Sequence, residues 1–184
     1  PLRCGYCHNP DTWDPEAYKI KANALQVFEK IKKYRSYFGG EGGLTVSGGE
    51  ALLQAEFVAE LFSLCREEGI HTCLDTSGCV WNDAVEQLIA QTDLALLDLK
   101  MNTEEMYREH VGASLKQVLS FLGQLDVRGI PVWVRQVSVP GLNDSEADRK
   151  MLQHLISDYP CVKRIQWLPF RKLCEEKYEQ MGMA

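Results

Sequence analysis

Apolar and polar positions alternate in blocks of two kinds along the chain. At helical spacing stand Ala24, Val27, Phe28 and Ile31, closed by Gly39-Gly40, and then Phe57, Val58, Leu61, Leu64 and Cys65, closed near Gly69. Asn82 to Ala90 reads as a helix, as does the face of Leu115, Val118, Leu119, Leu122 and Leu125 before Gly129. A further helix carries Met151, Leu152, Leu155 and Ile156, with Asn143-Asp144-Ser145 placed to cap it. Between them lie short continuous apolar runs: GLTVSGGE (43–50), IHTCLDTSG (70–78), DLALLDLK (93–100), PVWVRQVSVPG (131–141) and KRIQWLPF (163–170). Continuous runs, in place of in-out alternation, predict strands covered on both faces: a parallel α/β sheet of five strands. Periodicity leaves doubly wound and barrel-like closure equally open. No internal repeat or low-complexity linker divides the chain, so residues 1–184 are expected to form one domain.

Each strand ends in residues that packing does not require. These are Ser47-Gly48-Gly49-Glu50, Asp75-Thr76-Ser77-Gly78, Asp98-Leu99-Lys100, Arg135 ahead of Pro140-Gly141, and Pro169-Phe170-Arg171. Singly, each is an ordinary loop sequence. Together they mark the carboxyl ends of the strands, where parallel α/β folds place their active sites. The chemistry is expected on that rim.

Composition narrows the classes. With 184 residues, 45% hydrophobic and 25% charged, the chain reads as a globular domain large enough for a core without disulfides. The net charge is −6 and the basic residues are dispersed, the longest cluster being Lys30 to Arg35 on a helical pattern; nucleic-acid binding is disfavoured. No apolar run approaches the roughly 20 residues of a membrane span. With no signal peptide in sight, a cytoplasmic location is the expectation. The seven cysteines (Cys4, Cys7, Cys65, Cys73, Cys79, Cys161 and Cys174) then favour thiols and metal ligation over disulfides.

The stretch CGYCHNP (4–10) carries the sharpest chemistry and three readings: a C-x-x-C-H haem attachment, a thioredoxin-like redox pair, and part of a metal or iron–sulfur site. A redox pair needs a helix starting within the motif, and Asn9-Pro10 opposes one. A haem would need a second axial ligand, for which His71 and His154 are the candidates, each also explained as a strand or helix-surface residue. For a cluster, two thiolates are too few, since Cys₄ ligation is usual. A zinc or redox-sensing domain built on Cys4, Cys7 and His8 stands as the alternative from another class.

CGYCHNPDTW, followed in order by TVSGGE, HTCLDTSG, LLDLK, VWVRQVSVPG and LPF, resembles the radical S-adenosylmethionine enzymes that activate pyruvate formate-lyase. The resemblance runs essentially from end to end. It implies a C-x₃-C-x₂-C motif whose second and third cysteines are Cys4 and Cys7, with the first immediately before Pro1. The chain is accordingly expected to be a fragment that begins after that cysteine and lacks a C-terminal helix. The implied fold is a partial, open α/β barrel with five of six strands. The implied cofactors are a [4Fe–4S] cluster and S-adenosylmethionine, whose cleavage gives a 5′-deoxyadenosyl radical that removes hydrogen from a glycine Cα of pyruvate formate-lyase. The implied partners are that lyase and a flavodoxin or ferredoxin as electron donor, with the activase itself a monomer.

The resemblance also assigns residues. Cys4, Cys7 and Lys100 are implied as catalytic, the cysteines as iron–sulfur ligands. Tyr6, Cys7 and His8 would lie along the adenine, Gly48, Gly49 and Glu50 at the methionyl ammonium, and Asp98, Leu99 and Lys100 against the cofactor, with Lys100 at its carboxylate. Arg135, Val137, Leu168 and Arg171 match other positions near it. Asp75, Thr76 and the carbonyl of Leu96 match a monovalent-cation site. Arg171 is a departure, because the family has histidine there, and an arginine donates hydrogen bonds but cannot accept them. Cys65, Cys73, Cys79, Cys161 and Cys174 lack ligand spacing and are expected to be inert buried thiols. The short path from Cys7 to Gly48 leaves no room for the ferredoxin-like insert of related activases, which favours pyruvate formate-lyase over dehydratases as partner.

Overall fold

A computed structural model describes residues 2, 4–7, 9–13, 20–40, 42–171 and 175–182. Five parallel strands, β1 (Gly43–Val46), β2 (His71–Thr76), β3 (Leu94–Asp98), β4 (Val132–Ser138) and β5 (Val162–Pro169), pair in the order 1-2-3-4-5. Each strand joins the next one in sequence, so the chain winds steadily in one direction. A doubly wound sheet would reverse at a switch point. The sequential order is that of a barrel arc, and no pairing between β1 and β5 closes it among the described residues. The open, partial barrel expected from the resemblance is therefore the observed architecture.

The crossover helices are α3 (Ala55–Glu67), α4 (Asp83–Ala90), α6 (Leu115–Val127) and α7 (Glu146–Ile156). Before β1 come α1 (Ala24–Lys32) and the short α2 (Arg35–Phe38); α5 (Glu104–His110) sits between β3 and α6, and α8 (Glu175–Gln180) follows β5. Their starts are set locally. Asn23 forms a capping box with Gln26 at α1, Asn82 caps α4 through the Val85 N–H, and Ser114 caps α6. At α7 the cap is Ser145, in a box with Asp148. Asn143, expected to share that capping, is instead fully buried in the loop after β4.

Leu74, Ala95, Leu97, Val132 and Val134 on the strands meet Phe62, Leu88, Phe121, Leu122, Leu125 and Leu152 from the helices in the main core. A smaller cluster seats Ala24 and Phe28 of α1 on Leu61 and Cys65 of α3. Cys4 belongs to the main core at 6% exposure. Cys4 thus anchors the cysteine turn on the barrel end, with Tyr6 and Cys7 half-buried beside it. Among the described residues, no helix is long and apolar enough to cross a membrane.

Candidate active site

The strand ends open into one pocket of about 370 Å³, within the size range of small-molecule sites. Cys4, Tyr6 and Cys7 line one side of it, Gly48, Gly49 and Glu50 another. Asp75, Thr76, Asp98, Lys100, Arg135, Val137 and Leu168 complete the floor. Residues separated by up to 166 positions in sequence, Leu2 and Leu168, thus converge because the parallel strands end side by side and the cysteine turn folds over those ends.

An alternating charge network spans the floor. Asp98 leaves the end of β3, and Lys100, two residues on, returns to the same face, so Nζ meets Asp98 Oδ2 at 3.1 Å. On β4, Arg135 is registered beside Asp98. Its guanidinium donates to Asp98 Oδ1 from Nε at 2.9 Å and from Nη2 at 2.7 Å, and Nη2 also reaches Asp75 Oδ1 on β2 at 2.5 Å. Two carboxylates and two cations balance, which makes a half-buried array of charges tolerable. Burial pulls the Lys100 ammonium down, but the charges of Asp98, Cys4 and Glu50 outweigh it and its pKa is raised. Lys100 is therefore a fixed positive charge at neutral pH. Asp75 is pushed up by burial despite the neighbouring Arg135.

Glu50 has a different surrounding from the one its motif suggests. Oε1 accepts from Leu52 N–H at 3.1 Å and from the Thr76 hydroxyl at 2.6 Å. Oε2 accepts from the backbone N–H of Ser77 at 3.0 Å and from the Ser77 hydroxyl. The carboxylate therefore ties the β1 loop to the end of β2 while still lining the pocket. Gly49 beside it packs closely on the Pro10–Trp13 turn: a Cβ there would stand 2.9 Å from Thr12 Oγ1 and require that side chain to shift.

The thiols are two. Cys4 and Cys7 form one turn, closed by Cys7 N–H on the Cys4 carbonyl at 3.2 Å, and both face the pocket. Burial pushes the Cys4 thiol up, against the pull of Lys100. As soft donors on a short turn, this pair fits thiophilic iron. Among the described residues, no group of three or more His, Cys, Asp or Glu side chains could hold a metal. Thiols elsewhere behave as expected: Cys65, Cys73 and Cys161 are buried, and burial pushes Cys65 up to about 11 and Cys161 up to about 12. Cys79 is half-buried beside Ser77.

Three of the expected site residues stand apart from the pocket. Leu99 is buried in the core, with its N–H on the Arg135 carbonyl. Leu96 lies within the β2–β3 pairing, and Arg171 is exposed; neither lines the cavity. His8 and Cys174 lie outside the described residues. The side chains named for a monovalent cation are already committed to protein partners. Asp75 accepts from Arg135, and the Thr76 hydroxyl donates to Glu50 while accepting from Gly78 N–H at 3.0 Å.

Sequence reasoning missed Asn9, Thr12 and Trp13, which bring the turn at Pro10–Trp13 to the pocket mouth. Lys177 of α8 fastens that turn, donating to Asn9 Oδ1 at 3.0 Å and Asp11 Oδ1 at 2.9 Å. The only early signal was the motif's continuation as NPDTW.

Comparison with known proteins defines the class. Residues 1–152 match the radical SAM superfamily, and the chain belongs to it. Membership implies a [4Fe–4S] cluster and S-adenosylmethionine as cofactors. Within the superfamily, the chain is 40% identical over 184 residues to the pyruvate formate-lyase 1-activating enzyme of Escherichia coli (strain K12), covering 98% of this chain and 74% of the relative. It is 38% identical over 183 residues to the pyruvate formate-lyase-activating enzyme of Clostridium pasteurianum, covering 99% and 76%. A solved domain of pyruvate-formate lyase-activating enzyme from Bacteroides vulgatus ATCC 8482 superposes with a TM-score of 0.64 at 24% identity, covering 76% of this chain and 89% of that one. A zinc or redox-sensing domain on Cys4, Cys7 and His8 finds no support in these matches.

Proposed function

We propose that the protein is a radical-SAM activase that generates the glycyl radical of pyruvate formate-lyase. The observation that carries this reading is the convergence on one pocket of the Cys4–Cys7 turn and the Asp98–Lys100–Arg135 network, in a chain about 40% identical to enzymes of that name. When bound, the cluster and S-adenosylmethionine supply the electron and the hydrogen-abstracting adenosyl radical.

The chain's own residues bind and orient. Cys4 and Cys7 would hold iron as thiolates, giving up protons that burial otherwise retains on Cys4. Lys100, charged and anchored by Asp98, would take the carboxylate of the methionyl group. Gly48 and Gly49 leave backbone groups open for its ammonium, with Glu50 holding their loop in place. Tyr6, half-buried beside the cysteines, together with Val137 and Leu168, would wall the adenosyl side. Arg135 fixes both acidic side chains, so the floor needs no rearrangement when a charged ligand arrives. A flavodoxin or ferredoxin as electron donor, a cytoplasmic location and a monomeric state complete the reading.

The test is anaerobic reconstitution of the full-length protein, used in every assay that needs a cluster, with iron and sulfide, followed by incubation with S-adenosylmethionine, a reductant and purified pyruvate formate-lyase. A glycyl-radical signal by electron paramagnetic resonance supports the assignment. A reconstituted protein that cleaves the cofactor but leaves the lyase without a radical would assign it to another substrate.

A further inference from the structure

Lys100 lies beyond the last paired residue of β3, yet its backbone is gripped on both sides. Its N–H donates to the phenol oxygen of Tyr107 at 3.0 Å, and its carbonyl accepts from Asn143 Nδ2 at 3.0 Å and, at the longer distance of 3.5 Å, from the Tyr6 hydroxyl. Asn143 also donates to the Val137 carbonyl at 3.0 Å and accepts from Val139 N–H at 2.7 Å, so its amide bolts the end of β4 to Lys100. Tyr107 is 1% exposed, and neither it nor Asn143 lines the pocket. Tyr107 belongs to α5, and at the end of the same helix the His110 carbonyl accepts the Gly5 N–H at 3.1 Å. One helix therefore holds both Lys100 and the turn that carries Cys4 and Cys7. Core packing at position 107 asks only for an aromatic ring, and a buried hydroxyl is unfavourable unless it is bonded. Here it is bonded to the residue whose position matters.

We propose that Tyr107, assisted by Asn143, is a positioning residue that sets Lys100 and the cysteine turn in a common register, so that a single ligand can reach both. This inference rests on the proposed function. A lysine has four rotatable bonds beyond its Cα, but Nζ of Lys100 is pinned on Asp98 at 3.1 Å, so a shift of its backbone is felt as a loss of that fixed geometry. Misplacement by about 1 Å in such sites costs up to about 100-fold in rate; loss of the Tyr107 grip, with Asn143 and Tyr6 still on the Lys100 carbonyl, should cost about 10-fold in affinity.

The test compares the wild-type protein, Tyr107→Phe, and Val118→Ala as a core variant in α6 away from the pocket. Each is reconstituted anaerobically, its iron content and melting temperature are measured, and S-adenosylmethionine affinity is determined by calorimetry. Amide hydrogen exchange at Lys100 is followed separately without cofactor. In Tyr107→Phe, faster exchange at Lys100, unchanged iron and about 10-fold weaker binding are expected, while Val118→Ala binds like the wild type despite melting lower. Unchanged affinity in Tyr107→Phe, or an equal loss in Val118→Ala, overturns the positioning role. Wild-type protein that carries a cluster but binds no S-adenosylmethionine overturns the proposed function itself, and the inference with it.

Discussion

Removing the Glu50 carboxylate separates two roles that its motif confounds, ligand and clamp. Glu50→Ala takes the acceptor from four N–H and O–H donors (Leu52 N–H, the Thr76 hydroxyl, and the N–H and hydroxyl of Ser77) and from the Cys79 thiol at 4.0 Å. Hydrogen bonds to a charged group contribute about 1.5–3 kcal/mol each, and an N-terminal helix cap about 1 kcal/mol. Water can reach part of this half-buried site, and the four are not additive, so the loss expected is about 3–4 kcal/mol. Glu50→Gln keeps one acceptor oxygen but turns an amide toward the Ser77 donors, for a loss of about 2 kcal/mol. At about 2–4 °C per kcal/mol for a chain this long, Glu50→Ala should melt roughly 6–16 °C lower and Glu50→Gln roughly 4–8 °C lower. Thermal unfolding followed by circular dichroism, without iron or cofactor, reads this directly. A fall below about 2 °C in Glu50→Ala would show that the carboxylate is not a clamp and is free to serve the ligand.

Lys100→Met should leave Asp98 paired with Arg135 and reduce S-adenosylmethionine affinity at least 10-fold with iron content unchanged; equal affinity by calorimetry would return Lys100 to a structural ion pair. Gly78→Ala should destabilise by about 2 kcal/mol or more, because Gly78 has φ +67° and a Cβ would meet Leu97 Cδ1 at 2.8 Å and Phe121 Cδ1 at 3.0 Å; an unchanged urea midpoint would contradict that packing. Stability should fall as pH rises above 9. Unfolded thiols ionise near 9.0, while burial holds Cys65 protonated to about 11 and Cys161 to about 12, so the native state binds more protons in that window. The decline should be shallower in a Cys65→Ala, Cys161→Ala variant, and a stability that rises between pH 9 and 11 would reverse the sign of the argument.

The central strands β2, β3 and β4 were legible in the sequence because covered strands write continuous apolar runs, as in Leu94 to Leu97; β1 and β5, at the ends of the arc, have exposed positions and were legible only as short apolar-rich segments. The order of the strands was not, since hydrophobicity is the same in a doubly wound sheet and a barrel arc. Caps such as Asn82 and Ser145 are local in sequence and could be read there. Helix α5 could not: its seven residues, EEMYREH, offer only two apolar positions, too few to define a period. Most pocket residues were found because motif and strand end coincide. Their bonding was hidden, since Glu50 meets partners 26 and 27 positions away and Arg135 bridges 37 and 60 positions. Leu99, assigned by the resemblance together with Asp98 and Lys100, points into the core for a local reason: alternation along a strand sends neighbours to opposite faces.

The central claim is that this pocket turns a bound cluster and S-adenosylmethionine toward a glycine of pyruvate formate-lyase. The most direct measurement is electron paramagnetic resonance of the lyase after incubation with the reconstituted protein, beside the same protein carrying Cys7→Ala. A glycyl radical that depends on S-adenosylmethionine and is abolished by Cys7→Ala is expected. A radical formed equally well by the Cys7→Ala protein would contradict it.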